Sequence, residues 1–530
     1  MTSRDLPVVQ TEMHPSRWGD PEAATDLPDP ARGLIEMVFG LDERRAVDDV
    51  KLPEPGIPTE LVDALRGLLG AAHVLTDDDS RRLRTRGKST PDLLRQRAGD
   101  LSDAPDVVVR PGTHDEVAAV LTFAVEHHLA VVPFGGGTSV TGGLVARREG
   151  YAGLLSLDLI RMKRLLAVDH TSMTATLEPG LRGPEAEALL AAEGLTLGHY
   201  PQSFEYATIG GFAATRSSGQ SSAGYGRFDA LVVALRVATP RGELRLGSSP
   251  ANAAGPDLRQ LILGSEGAFG VITEVTVRVR RLPAEKVYEG WRWPSFAAGA
   301  DAMRTLAQAG LLPTVVRLSD EAETSINLAR PDEIGEESAS GCMMIVGYEG
   351  EPGANAAKRA AVTAVLTDLG GTCLGEEPGR AWARGRFSAP YLRDSLLDVG
   401  VLVETLETAT FWSNRETLYA GVKTALETAL GEGTIVLCHI SHVYETGCSL
   451  YFTVAAKESV DPLPQWHAAK AAAGDAMVAA GATITHHHAV GTDHKPWLTA
   501  EIGELGVSML RAVKTDLDPT GILNPGVLIP

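Results

Sequence analysis

Apolar and polar positions first settle into a clear period at Val107. Val107 to Val109 is a short apolar run, and Val117, Val120, Leu121, Ala124 and Val125 then recur at helical spacing. Leu129 to Phe134 is a second apolar run, so the pattern predicts strand, helix, strand, the order of a crossover between parallel strands. Thr113 is the expected N-cap of the helix, with Glu116 as its capping-box partner. Further strands are expected at Leu154 to Leu159, at Thr174 to Glu178 before a helix over Pro184 to Ala192, and as a pair around Pro240-Arg241-Gly242. Val275, Val277 and Val279 alternate with Thr276, Arg278 and Arg280, a half-buried strand that closes this unit near Pro283.

After Pro283 the pattern begins again. It predicts a helix (Phe296 to Ala309), strands at Thr314 to Leu318 and Met343 to Tyr348, a helix (Ala354 to Leu369) and two strands around Val436 and Tyr451. A last helix is expected over Glu501 to Lys514, with Ile502, Leu505, Met509 and Val513 in register. Upstream, proline and acidic residues crowd the first 60 positions (Pro21-Glu22, Asp26 to Pro30, Leu52 to Pro55), which reads as extended arms wrapping a neighbour or a subunit, before a short helix near Pro58 to Leu69. The expected organisation is an N-terminal extension with short helices over 1–100, an α+β domain over 101–283, a second α+β domain over 284–488, and a segment, 489–530, that returns to the first. A chain of 530 residues exceeds what one core usually organises, which agrees with two packed units.

Composition narrows the function classes. Lys plus Arg number 48 against 68 Asp plus Glu, a formal charge of −20, which excludes nucleic acid as the main partner and disfavours an anionic membrane surface. Four cysteines without CxxC spacing suit a reducing compartment. The N-terminus carries Asp5 and Glu12 and no apolar h-region, and no apolar run approaches a membrane span, so a soluble cytoplasmic protein is expected.

The candidate chemistry starts where the second strand ends. Pro133-Phe134-Gly135-Gly136-Gly137-Thr138-Ser139-Val140-Thr141-Gly142-Gly143-Leu144 offers five glycines and three hydroxyls, so backbone N–H groups can converge on an anion such as a pyrophosphate without obstruction by Cβ atoms. A Rossmann fingerprint would need glycine at Val140, and a Walker A loop would need Gly-Lys-Ser/Thr where Gly143-Leu144 stands. Two later segments repeat the small-residue and hydroxyl pattern: Thr208-Ile209-Gly210-Gly211-Phe212-Ala213-Ala214-Thr215-Arg216-Ser217-Ser218-Gly219 and Leu263-Gly264-Ser265-Glu266-Gly267-Ala268-Phe269-Gly270-Val271-Ile272. The run His486-His487-His488 is the other unusual feature. The residues alone leave open proton transfer, substrate anchoring, a solvated polar turn and a metal site.

With these three segments the chain resembles the vanillyl-alcohol-oxidase superfamily of flavoproteins, and within it the alkylglycerone-phosphate synthase family, over roughly residues 86–528. The resemblance implies an α+β fold, a two-subdomain PCMH-type FAD-binding domain plus an α+β cap that takes the substrate. It implies non-covalent FAD held by Pro133, Phe134, Gly135, Gly136, Gly137, Thr138 and Ser139, by Gln202, Ser203, Thr208, Gly210 and Gly211, by Thr215, Arg216, Ser217 and Ser218, and by Glu266, Gly267, Gly270, Val271 and Ile272. Tyr451, His486, His487, His488 and His199 fall on catalytic positions, and Arg317 on one suited to an anionic group. No metal is expected. Where the family has a substrate-binding arginine this chain has His439, and Thr492 and Asp493 interrupt a run of positive residues, changes that weaken binding of a dianion.

The activity implied is exchange of the acyl group of acyl-dihydroxyacetone phosphate for a fatty alcohol through an adduct at flavin N5. The alternative is oxidation of a 2-hydroxy acid or an alcohol with hydride passing to N5. The expected partners are a small-molecule or lipid-like substrate and a second copy in a homodimer, with peripheral membrane contact allowed.

Overall fold

The computed structural model describes residues 12–20, 27, 29–44, 46–47, 50–145, 147–326 and 340–530. The first sheet has the strand order Val74–Leu75, Val107–Val109, Gly153–Asp158, Leu129–Phe134. Val107–Val109 and Leu129–Phe134 both run parallel to Gly153–Asp158, which lies between them. Parallel strands need a long return connection, and the helix His114–Glu126 supplies it, burying Val117, Val120, Leu121 and Ala124 against Val107, Val131 and Leu155. Thr113 caps this helix through the N–H of Glu116, at 3.1 Å. The Glu116 carboxylate reaches one residue further back than a capping box would place it, to the N–H of Gly112 at 2.6 Å.

A second, antiparallel sheet follows in the order Leu165–Asp169, Thr174–Leu177, Val271–Arg278, Val232–Thr239, Gly242–Leu246. The third large sheet has seven antiparallel strands: Thr372–Gly375, Glu285–Trp293, Cys342–Gly350, Val315–Ser319, Ile435–Ile440, Gly447–Lys457 and Val401–Phe411. Helices Phe296–Gln308, Pro352–Asp368, Arg415–Leu430 and Pro462–Ala479 share a core with it. Because side chains alternate along a strand, Val316, Leu318, Cys438, Ile440, Leu450 and Phe452 enter that core and the residues between them point the other way. Those intervening residues are Arg317, His439 and Tyr451, and all three line a cavity.

Two sequence expectations change here. The N-terminal arm contains a helix, Asp29–Phe39, whose Ile35 and Phe39 pack on Val399, Val401 and Val403 of the same chain; Pro21-Glu22, Asp26 and Pro28 lie outside the described residues. The last helix spans Lys495–Leu517 but is broken at Gly503, with φ 74° and ψ 164°. That break resets the helical phase, so Ile502, Leu505 and Met509 face outward while Val507 is buried and Leu510, Val513 and Leu517 pack inward. The chain end then returns to the first sheet: Val131 N–H donates to Ile522 and Asn524 N–H donates to Val131, both at 2.8 Å. Among the described residues no helix is long and apolar enough to cross a membrane.

Candidate active site

A cavity of about 710 Å³ lies between the glycine-rich loops and the open face of the seven-stranded sheet. All the residues expected to hold FAD line it except Arg216. The Arg216 guanidinium turns away to Asp229 (3.1 Å) and Gln260 (2.5 Å) because its backbone is the left-handed C-cap of the Ile209–Thr215 helix, with φ 54°.

The loop is built so that backbone reaches the cavity. A Cβ at Gly135 would overlap Thr208 Oγ1, and one at Gly136 would overlap the Tyr206 carbonyl oxygen. Ser139 Oγ accepts from Gly143 N–H at 3.1 Å and closes the turn, while Asn524 Nδ2 donates to the carbonyls of Gly143 (3.0 Å) and Glu266 (2.6 Å) from the chain end. Gln202 Nε2 is buried, without a partner among the described residues, on the cavity wall. A bare backbone cradle and an unspent amide donor fit a pyrophosphate and a flavin ring, so these residues would hold FAD.

The facing wall is a row of cross-strand neighbours. Ser319 pairs with His439, His439 with Tyr451, and Tyr451 with Glu407. Tyr451 lies between two imidazoles: its ring stacks on His439 at 4.8 Å and on His487 at 6.0 Å, and meets His488 edge-on at 5.6 Å. Burial pushes the Tyr451 phenol up to about 12, against a hydrogen bond with Thr405 that lowers it, so the group stays protonated at neutral pH. Burial likewise brings His488 down to about 3, leaving a neutral ring that can accept a proton.

Glu407 fixes where the histidines stand. Its carboxylate accepts from the backbone N–H groups of His486 (2.6 Å), His487 (3.1 Å) and His488 (2.9 Å), and from Thr485 Oγ1 (2.6 Å). Burial by itself would raise this carboxyl, but the surrounding histidines, His487 foremost, hold it well below the usual carboxylate range. Glu266 holds the next two residues, accepting from Val490 N–H at 3.1 Å and Gly491 N–H at 2.8 Å. Burial pushes Glu266 up to about 7, against the hydrogen bonds from Gly491 and Val490. Thr492 and Asp493 donate their N–H groups to the Thr141 carbonyl and do not line the cavity, so they lock the turn to the phosphate loop instead of facing a ligand.

Arg317 and His439 converge on a second buried acid, Glu323. Arg317 Nη2 donates to Glu323, His439 Nδ1 lies 3.1 Å from the same carboxylate, and Arg317 Nη1 lies 3.3 Å from His439 Nε2. Burial alone would raise Glu323; Arg317, His439 and the Ser319 hydroxyl outweigh it and hold the carboxyl at about 2. His486 and His199 sit behind the cavity wall. His486 Nε2 is 2.6 Å from the Tyr444 hydroxyl, and His199, brought down to about 3 by burial, lies 3.1 Å from the Ser217 hydroxyl between Phe212 and Phe228.

Glu407 and Glu323 carry no motif. The available signals were an acid inside an apolar strand, Leu406-Glu407-Thr408-Ala409, and the capping pair of Asp320 with Glu323, whose N–H donates to the Asp320 side chain at 2.8 Å.

Gly136→Ala should push the loop off the Tyr206 carbonyl and weaken FAD retention at least about tenfold, read as the flavin-to-protein absorbance ratio after gel filtration. For Glu323, the folded pKa of about 2 lies below an unfolded value near ~4.3. Its contribution is therefore present above pH ~4.3 and lost as pH falls toward 2. Glu323→Gln should lower Tm at neutral pH and flatten the loss of Tm over that acid range by an amount worth about 3 kcal/mol, measured by thermal unfolding at stepped pH.

Comparison with known proteins agrees with this geometry. Residues 105–247 match the FAD binding domain model and residues 282–528 match the model for the C-terminal domain of FAD linked oxidases. The alkyldihydroxyacetonephosphate synthase of Trypanosoma brucei brucei is 35% identical over 94% of this chain and 84% of its own length. That of Dictyostelium discoideum is 32% identical over 99% and 89%. A solved alkyldihydroxyacetonephosphate synthase structure superposes with a TM-score of 0.82 at 30% identity, covering 97% of this chain and 99% of the other. With FAD-binding models spanning most of the chain and relatives of this identity over nearly its full length, the chain belongs to the alkyldihydroxyacetonephosphate synthase family of FAD-dependent enzymes.

Proposed function

We propose that this enzyme forms an ether bond, replacing the acyl group of an acyl-dihydroxyacetone phosphate with a fatty alcohol and releasing the carboxylate. The observation that carries the reading is the continuation of the cavity past Tyr451 into an apolar arm. Its walls are Leu34, Ile35 and Phe39 of the Asp29–Phe39 helix, Leu392 and Leu396, and Val401, Val403, Ile435 and Leu437 of the sheet. Burying an alkyl chain there is worth about 0.8 kcal/mol per methylene, so a chain of some ten carbons gains roughly 8 kcal/mol. A small 2-hydroxy acid would leave that arm wet, which is why the oxidase reading is the weaker one.

FAD, when bound, supplies an electron pair at N5 toward C1 of the substrate. The protein's part is proton handling and placement. Tyr451, kept protonated by burial, is the donor, the neutral ring of His488 that meets it edge-on is the acceptor, and the His487 ring stacked on it relays the proton. His199 acts through Ser217, as a positioning residue. Arg317 is already partnered by Glu323, so the remaining charge for a phosphate comes from Arg386 and Arg393. Both line the cavity, and each has an Nη2 without a hydrogen-bond partner among the described residues.

FAD-loaded protein given acyl-dihydroxyacetone phosphate and hexadecanol should yield alkyl-dihydroxyacetone phosphate and fatty acid in equal amounts, followed by mass spectrometry; absence of ether product contradicts the reading. Tyr451→Phe keeps the ring between its two imidazoles and removes the proton, so turnover should fall roughly 100- to 10,000-fold with flavin content unchanged.

A further inference from the structure

Three imidazoles meet at the edge of the triple-histidine turn. His442, just beyond the Ile435–Ile440 strand, stacks on His486 with ring centroids 4.9 Å apart and meets His487 edge-on at 5.0 Å. His486 and His487 bring their Nδ1 atoms to 2.9 Å. One ring nitrogen from each of the three lies within 4.8 Å of the other two. In a tetrahedral site with metal–nitrogen bonds of about 2.0–2.1 Å, neighbouring ligand atoms are roughly 3.3 Å apart, so small ring rotations suffice to close the set.

Two of the rings are also held from outside, and the third has a carboxylate beside the nitrogen that it turns toward His486. The hydroxyls of Ser222 and Ser218 lie 2.6 and 3.0 Å from His442 Nδ1, Glu407 lies 3.4 Å from His487 Nδ1, and the Tyr444 hydroxyl lies 2.6 Å from His486 Nε2. A hydroxyl or carboxylate bracing an imidazole is the arrangement that orients a ligating histidine. His442 and His487 line the cavity, which leaves a path for an ion to enter and an open fourth position.

We propose that His442, His486 and His487 form a binding site for a divalent transition metal of the Zn²⁺ and Co²⁺ class, and that its occupation turns the enzyme off. Three imidazoles select borderline metals and reject Mg²⁺ and Ca²⁺, which require oxygen ligands. Inhibition follows because a His487 ring bound to a metal can no longer pass a proton beside Tyr451. This inhibitory half rests on the proton-relaying role proposed above, whereas the binding half stands on the ligand geometry.

The test is titration of chelator-treated, FAD-loaded protein with Co²⁺, read by the ligand-field bands of tetrahedral cobalt at wavelengths beyond the flavin absorption. One equivalent should give the bands, Zn²⁺ should bleach them, and Mg²⁺ should not. Turnover should fall at least about tenfold with metal and return with chelator. His442→Gln should weaken Co²⁺ binding by more than about tenfold, and Ser222→Ala, a gentler change that removes one brace, by about tenfold. Absence of saturable bands in the parent protein, or bands unchanged in both variants, overturns the site. Bands with undiminished turnover overturn the inhibitory half alone. Failure of the ether-forming reading would show separately, as no product from metal-free protein.

Discussion

A single buried carboxylate, Glu407, accepts hydrogen bonds from three successive backbone N–H groups, and the arrangement of the active site follows from it. An ionised acid in a protein interior is costly unless its lone pairs are filled, so Glu407 and the turn at His486 to His488 each require the other. Glu407 projects from the seven-stranded sheet beside Tyr451, while Glu266, from the FAD-binding side, holds Val490 and Gly491 in the same way. The turn is strapped between the two halves of the molecule by two acids. Thr492 and Asp493 then tie it to the carbonyl of Thr141 in the phosphate loop, which couples the cofactor cradle and the histidine turn through a few residues of backbone.

Strand alternation does the rest. The seven-stranded sheet gives one face to a helix-covered core and the other to chemistry, so Arg317, His439 and Tyr451 come from three different strands yet share a wall. Stacking orders them further: Tyr451 between His439 and His487 has little rotational freedom, which keeps its hydroxyl in place. The N-terminal helix completes the apolar arm of the same cavity with Ile35 and Phe39, so a segment remote in sequence helps shape the substrate space.

The parts legible in the sequence were those set by local rules. The strand at Leu129–Phe134 and its glycine loop follow from an apolar run meeting small residues, and Tyr451 and the histidines from resemblance. What was hidden depends on long-range geometry. Glu407 and His486 are 79 positions apart and Glu323 and His439 are 116 apart, so no window of sequence shows the contact. The helix at Asp29–Phe39 was obscured by flanking prolines, and the phase of the last helix by one glycine, Gly503, with a left-handed φ. Arg216 looked like a ligand residue from its neighbours, but the C-cap geometry of a short helix turned it outward.

The central claim is that flavin, Tyr451 and the strapped histidines perform an exchange with no net oxidation. The most direct measurement is the flavin absorbance spectrum under anaerobic conditions while both substrates turn over. The account predicts that the flavin stays near its oxidised spectrum as ether product accumulates, and that 2-hydroxy acids leave it unchanged. Stoichiometric bleaching by a hydroxy acid or an alcohol alone would contradict it.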